Sequence, residues 1–212
     1  SIITVRKEET KKKLAISCDN QPFIAKAPLI LIFLADYSKW YKYYEVNGVR
    51  EFQKDRGETF AGPSAGSFVL AVQDAVIAAE NAVIAAESLG IGSCYIGDIM
   101  EQKEYHKTLF NLPEYVFPVA MLTLGYYPED YMVPLKERFA EKYVVFEERY
   151  NELSKEDIDD MFRKRDQLFT AKNKYNAKNY AQMHYNFKVK APFSKEMQRS
   201  VEEALKEWDK KE

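Results

Sequence analysis

The chain has 212 residues, of which 46% are hydrophobic and 30% charged, and carries a formal net charge of -2. That length buries a full core without disulfide staples, and so even a balance leaves no basic footprint for nucleic acid. Two cysteines and two histidines are too few for a disulfide framework or a zinc cluster, so no metal site is expected.

Taken in chain order, residues 1–5 (SIITV) form a β-branched, strand-like run with no initiator Met and no lead-in, so the sequence is expected to be truncated. Residues 7–15 read as a charged, solvated helix. Pro22 and Pro28 bracket the approach to residues 29–35 (LILIFLA), whose length and flanking prolines indicate a strand buried on both faces. Residues 37–60 are aromatic and polar in no strand period. No apolar run approaches the roughly 20 residues that cross a bilayer. No signal peptide opens the chain. A soluble, cytoplasmic protein without a membrane partner is therefore expected.

Residues 67–89 (SFVLAVQDAVIAAENAVIAAESL) are the clearest element. Gln73 and Asp74, Glu80 and Asn81, Glu87 and Ser88 recur seven apart, close to two helical turns, as one narrow polar stripe on an otherwise apolar cylinder. Such a helix is expected to be buried nearly all round, as a central helix or a dimer seam. Gly90 and Gly92 end it by taking the left-handed conformation. Residues 94–99 read as a short strand or turn, and a helix carrying Lys103, Glu104 and Lys107 follows. Residues 119–125 (VAMLTLG), introduced by Pro113 and Pro118, are a second buried strand.

From about Phe139 the chain turns charged and helical. Ser154 with Asp157 has the form of a capping box. Ser194 is placed to cap a last helix whose Met197, Val201, Leu205 and Trp208 share one face. Residues 172–190 between them read as a long surface arm. Cys94 is expected to be a small buried residue and His106 to face solvent, neither with a catalytic role.

Residues 89–98 (LGIGSCYIGD) are no dinucleotide fingerprint, because their glycines follow a helix and precede a strand. By themselves they are a helix stop, an extended segment and a glycine whose N–H could face a flat ligand; a plain helix-to-strand connection is the competing reading. With the Ala-rich helix carrying Asn81 before them and the strand ending Leu124-Gly125-Tyr126-Tyr127-Pro128 after them, their order and spacing resemble the nitroreductase family over about residues 1–140.

That resemblance implies an α+β fold, an α/β/α sandwich with a mixed, mostly antiparallel central sheet, a buried central helix and a helical C-terminal extension. The flavin-binding core would be residues 1–140. Residues 141–212 would pack on the partner of a homodimer. It also implies FMN as cofactor, with Tyr95 and Ile96 lining the ring and the backbone of Gly97 and Asp98 donating towards flavin N5 and O4. The Asp98 carboxylate would point away. Lys136 and Arg138, just past Pro134, would hold the FMN phosphate, as a point charge and a bidentate fork. Trp40, Tyr41 and Tyr44 would shape the substrate pocket, packing under a loop being an equal alternative. The family's N-terminal Arg-Ser-x-Arg segment has no counterpart here. The implied activity is hydride transfer from NAD(P)H to FMN and onward to a planar acceptor such as a nitroaromatic or quinone, with no side-chain acid or base required. The alternatives are other flavin chemistry on the same fold, dehalogenation or flavin fragmentation, or a non-catalytic flavin-binding protein.

Overall fold

The computed structural model describes residues 1–132, 135 and 137–209. Its elements run β1 (Ile2–Val5), α1 (Glu8–Ser17), α2 (Pro22–Lys26), β2 (Leu29–Asp36), α3 (Ser38–Val46), α4 (Val49–Asp55), α5 (Ala65–Ser88) and β3 (Ile91–Ile96). A 3-10 turn (Gly97–Met100) leads to α6 (Lys103–Phe110) and β4 (Val116–Tyr126); α7 (Lys155–Asp166), α8 (Tyr180–Lys188) and α9 (Pro192–Trp208) complete the chain. These elements divide into two compact units, Ser1–Pro128 with the segment from Lys195 onward, and Glu129–Ser194.

The first unit is built on a sheet in the order β1-β2-β4-β3, with every pairing antiparallel. Its two central strands are the two apolar runs of the sequence, and they are covered on both faces. Ile30, Ile32 and Leu34 of β2 face a core shared with Leu14 of α1 and Ile24 of α2. Phe33 and Ala35, one residue out of phase, face a second core with α5. The period of two along a strand produces this division. The β2–β4 register slips between Phe33 and Leu34, opposite Ala120 and Pro118. Pro118 has no N–H to give the ladder, so a central strand can carry it only at such an irregularity. The slip leaves both Val119 and Ala120 in the second core.

α5 presents Phe68, Ala71, Ala75, Ala79 and Ala86 to the sheet, and their small side chains allow close backbone approach. It is not buried all round, as its apolar composition led us to expect. Val69, Leu70, Val76, Ile77 and Ile84 are exposed beside the polar pairs. By length and composition this helix is also apolar enough to cross a membrane, which corrects the expectation that no run qualifies. The core helix of a globular domain meets the same criterion.

α9 belongs to this unit too. Its Trp208 is 1% exposed and packs edge-on to Phe68, ring centroids 5.1 Å apart. The last helix packs on this chain's own core, while the compact units divide at 128/129 and 194/195. α9 begins at Pro192, not at Ser194, whose N–H donates to the Ala191 carbonyl at 3.1 Å. Proline at the first helical position was the signal to read.

In the second unit the Ser154–Asp157 capping box is present, each side chain accepting the other's backbone N–H at 3.1 Å. Half of the stretch expected as an arm is α8, capped by the Asn179 side chain, which accepts from the Gln182 N–H at 2.9 Å. The aromatic segment after β2 is likewise helical, as α3 and α4.

Candidate functional site

β3 is an edge strand, paired only with β4, and its last residues run into the 3-10 turn. Gly90 ends α5 with φ +71°, the left-handed value glycine takes without strain. Gly92 has a different task from the helix stop expected of it. It already lies in β3, where a Cβ would fall 2.5 Å from the Tyr127 ring. These two glycines set where β3 starts and so where it ends.

At that end, strand alternation separates two neighbours. Tyr95 is 44% exposed on the α5 side, and its hydroxyl donates to Glu80 Oε2 at 3.3 Å. Burial and the Glu80 charge together push its pKa up. Ile96 is 3% exposed and packs into the first core. Its side chain is therefore unavailable to line a ligand, contrary to expectation, and only its backbone remains. Gly97 is exposed, and a Cβ added there would meet nothing within 4 Å. Gly97 and Asp98 open the 3-10 turn, so their N–H groups precede the turn's own i to i+3 bonds. An open flank, a half-exposed tyrosine and two leading N–H groups suit the polar edge of a flat heterocycle.

Below the turn the surroundings are polar. Asp98 Oδ2 accepts from Gln21 Nε2 at 2.8 Å, so its carboxylate turns toward the α1–α2 connection. Glu101, 5% exposed, lies beside it, and burial followed by the Asp98 charge lifts its pKa to about 7. Sequence reasoning missed both Gln21 and Glu101: an acid followed by Gln102 and Lys103 looks like surface. His106 was misjudged for the same reason. It is fully buried, with Nε2 2.8 Å from Ser17 Oγ, and burial holds its pKa below the usual range. Lys103 on the same helix is itself buried against Glu207 at 2.7 Å, so a charged helix here is not a solvated one. Cys94 is exposed rather than buried; the buried thiol is Cys18, pushed up to about 12 by desolvation. A thiol so raised is inert.

The expected substrate residues of this unit, Trp40, Tyr41 and Tyr44, do not join this turn. Trp40, Tyr41 and Tyr44 sit on α3. Tyr41 is structural: its hydroxyl donates to the Ala61 carbonyl at 3.0 Å, and its ring packs 5.3 Å from Tyr115 and 5.8 Å from Phe60. The Tyr44 ring lies edge-on to Tyr41 at 5.6 Å and tilted against Trp40 at 6.1 Å. Trp40 is 55% exposed and lines a cleft of about 160 Å³ with Ser1 and Ile2, at the β1 edge of the sheet; β3 is the opposite edge. Arg138 is exposed in the Glu129–Ser194 unit, beside Glu137, which pairs with Lys164. Lys136 lies outside the described residues. Among the described residues no cluster of His, Cys, Asp and Glu could hold a metal ion.

Comparison with known proteins gives concordant findings. The model of the nitroreductase family matches residues 2–126. An FMN reductase (NADPH) of Bacillus subtilis is 31% identical over 153 residues, covering 71% of this chain and 57% of the relative. The chain spans about half the length of the curated relatives it matches. Among solved structures, B. megaterium NfrA2 aligns over 100% of this chain and 81% of its own, at 31% identity and a TM-score of 0.77. NfrA1 nitroreductase from B. subtilis aligns over 96% and 81%, at 25% identity and a TM-score of 0.74.

Proposed function

The chain belongs to the nitroreductase family, and from that premise we propose an FMN-dependent oxidoreductase that takes hydride from NAD(P)H and reduces a planar acceptor such as a nitroaromatic or quinone. The observation that carries the reading is the end of β3, where Gly97 leaves an open flank beside the exposed Tyr95. The B. subtilis relative named FMN reductase (NADPH) supports the cofactor and the reductant.

FMN, when bound, accepts hydride at N5 and returns electrons to the acceptor. The protein's share is orientation. The Gly97 N–H would donate toward the flavin and fix which edge faces the turn, with the Asp98 N–H adjoining. The Asp98 carboxylate stays with Gln21, which keeps a negative charge off that edge. Tyr95, tied to Glu80, would pack beside the ring. No side chain at this turn is required as acid or base. Arg138 and Lys136 are proposed for the phosphate on the family resemblance, and Trp40 as a substrate contact, independently of the β3 turn.

A homodimer is part of the proposal. Val69, Leu70, Val76, Ile77 and Ile84 form a large apolar surface on α5, of the kind that marks an interaction site. A cytoplasmic location fits a reaction that draws on NAD(P)H.

The test is reconstitution with FMN. Bound flavin absorbance that bleaches on anaerobic addition of NADPH or NADH is the expected result. A protein that takes up no flavin, or retains flavin that neither nucleotide reduces, sinks the reading. Replacing Ile77 and Ile84 together by Glu should convert the dimer to monomer in light scattering.

A further inference from the structure

Glu101 is the one acid buried among the described residues, and the flavin reading gives it no task. It is 5% exposed, and its Oε1 has no hydrogen-bond partner among the described residues. An ionised carboxylate in that position would lose its hydration with nothing to replace it. Its surroundings are acidic from every side. The Glu101 N–H donates to the Asp98 carbonyl at 3.0 Å, so the two acids stand i and i+3 on the 3-10 turn, where such side chains share one face; the charges of Asp98, Asp19 past the end of α1 and Glu196 of α9 all disfavour its ionised form. The cations of the neighbourhood are committed elsewhere: Arg199 to Glu104 and Glu196, both at 2.8 Å, and Lys103 to Glu207. Burial lowers the His106 pKa and pushes the Cys18 thiol up to about 12. Two carboxyl groups in contact attract only when one proton lies between them.

We propose that Glu101 is a positioning residue that stays protonated and donates its proton to the Asp98 carboxylate, bracing the Gly97–Asp98 turn from below in the geometry that receives a flat heterocycle. With Gln21 donating to the other side of Asp98, the carboxylate is held by two donors and the turn's N–H groups are aimed outward. Losing the proton puts two negative charges in contact beneath the turn, and the brace becomes a repulsion. The turn then loosens, and binding weakens as pH rises through neutrality. Desolvation and the facing acids raise the Glu101 pKa from 4.5 to about 7, which puts the change in a window that solution experiments reach.

This inference rests on the flavin reading for its ligand, so its test has one arm with FMN and one without. Glu101→Gln carries an amide donor in the proton's place at every pH. FMN affinity, followed by quenching of flavin fluorescence, should fall roughly three- to tenfold between pH 6.5 and 8.5 in the natural protein and stay flat in E101Q. The variant controls for the phosphate, whose second pKa is about 6 in both proteins. In the flavin-free arm the natural protein should lose roughly 2–4 °C more Tm than E101Q as pH rises from 4.5 to 7, because a carboxyl whose pKa is raised on folding stabilises below that window. Asp98→Asn supplies a donor to Glu101 instead and should move the transition back into the ordinary carboxylate range. Absence of any FMN binding with the Tm difference intact would overturn the flavin reading alone. Parallel pH profiles for the natural protein and both variants, with and without FMN, would overturn the shared proton.

Discussion

The two layers that cover the sheet are made of different material. On one face, α5 and α9 bring alanines, Phe68 and Trp208 against Phe33, Phe117 and Leu122, with Tyr37 and Tyr115 packed at the margin. On the other, α1, α2, the 3-10 turn and α6 bring Leu14, Ile24 and Ile99 together with buried Ser17, Glu101, Lys103 and His106. The first layer holds the fold by area and shape, with no buried acid or histidine among its described residues. The second also holds it, but through protons, and the open turn of β3 is attached to that layer. A domain can thus keep its stability and its chemical sensitivity on opposite faces of one sheet.

The largest expected effect tests the apolar layer. Trp208→Ala empties its centre and should cost roughly 3–5 kcal/mol in urea denaturation, with the pH dependence of stability unchanged. A change in that dependence would break the contrast between the layers. The second prediction concerns sign. His106 is held below its usual 6.5, so its contribution is complete above that pH and lost as pH falls through it. Glu101 works in the opposite sense, losing its contribution as pH rises from 4.5 to about 7. In His106→Gln the acid-side loss should disappear and Tm should decline steadily over pH 4.5 to 7; an unaltered profile would place the titration elsewhere.

Ser200 ties α9 to the turn, donating to the Met100 carbonyl at 2.5 Å and accepting the Lys103 N–H at 3.1 Å. Ser200→Ala should cost about 1–2 kcal/mol, and hydrogen exchange should quicken at Lys103 while α5 stays protected. Smallest is Gly90→Ala, which forces a side chain into φ +71° and should cost about 1 kcal/mol by thermal unfolding without affecting either layer's pH behaviour.

Much of this was visible in the residues. The runs at 29–35 and 119–125 are central strands because continuous β-branched and aliphatic residues between prolines suit a strand buried on both sides. Tyr95, Gly97 and Asp98 came from the pattern of neighbouring segments, and they stand together at an accessible turn. Ile96 could not be separated from Tyr95 without knowing which way β3 faces. His106 and Glu101 were hidden because each is flanked by charged or polar residues in sequence, and only the docking of α1 and α9 removes them from water.

Sequence alone therefore determined the family, the two central strands, the long alanine helix and the glycine turn, since each is written in local periodicity or in the order of short motifs. Tertiary structure alone decided which side of α5 is covered, that Trp208 returns to this chain's core, and that Glu101 is buried beneath the turn. The physical reason is range. Propensity and patterning act over a few residues, whereas burial and the pKa of a buried acid depend on elements such as α9, about a hundred residues away along the chain from Glu101 in the case of Ser200.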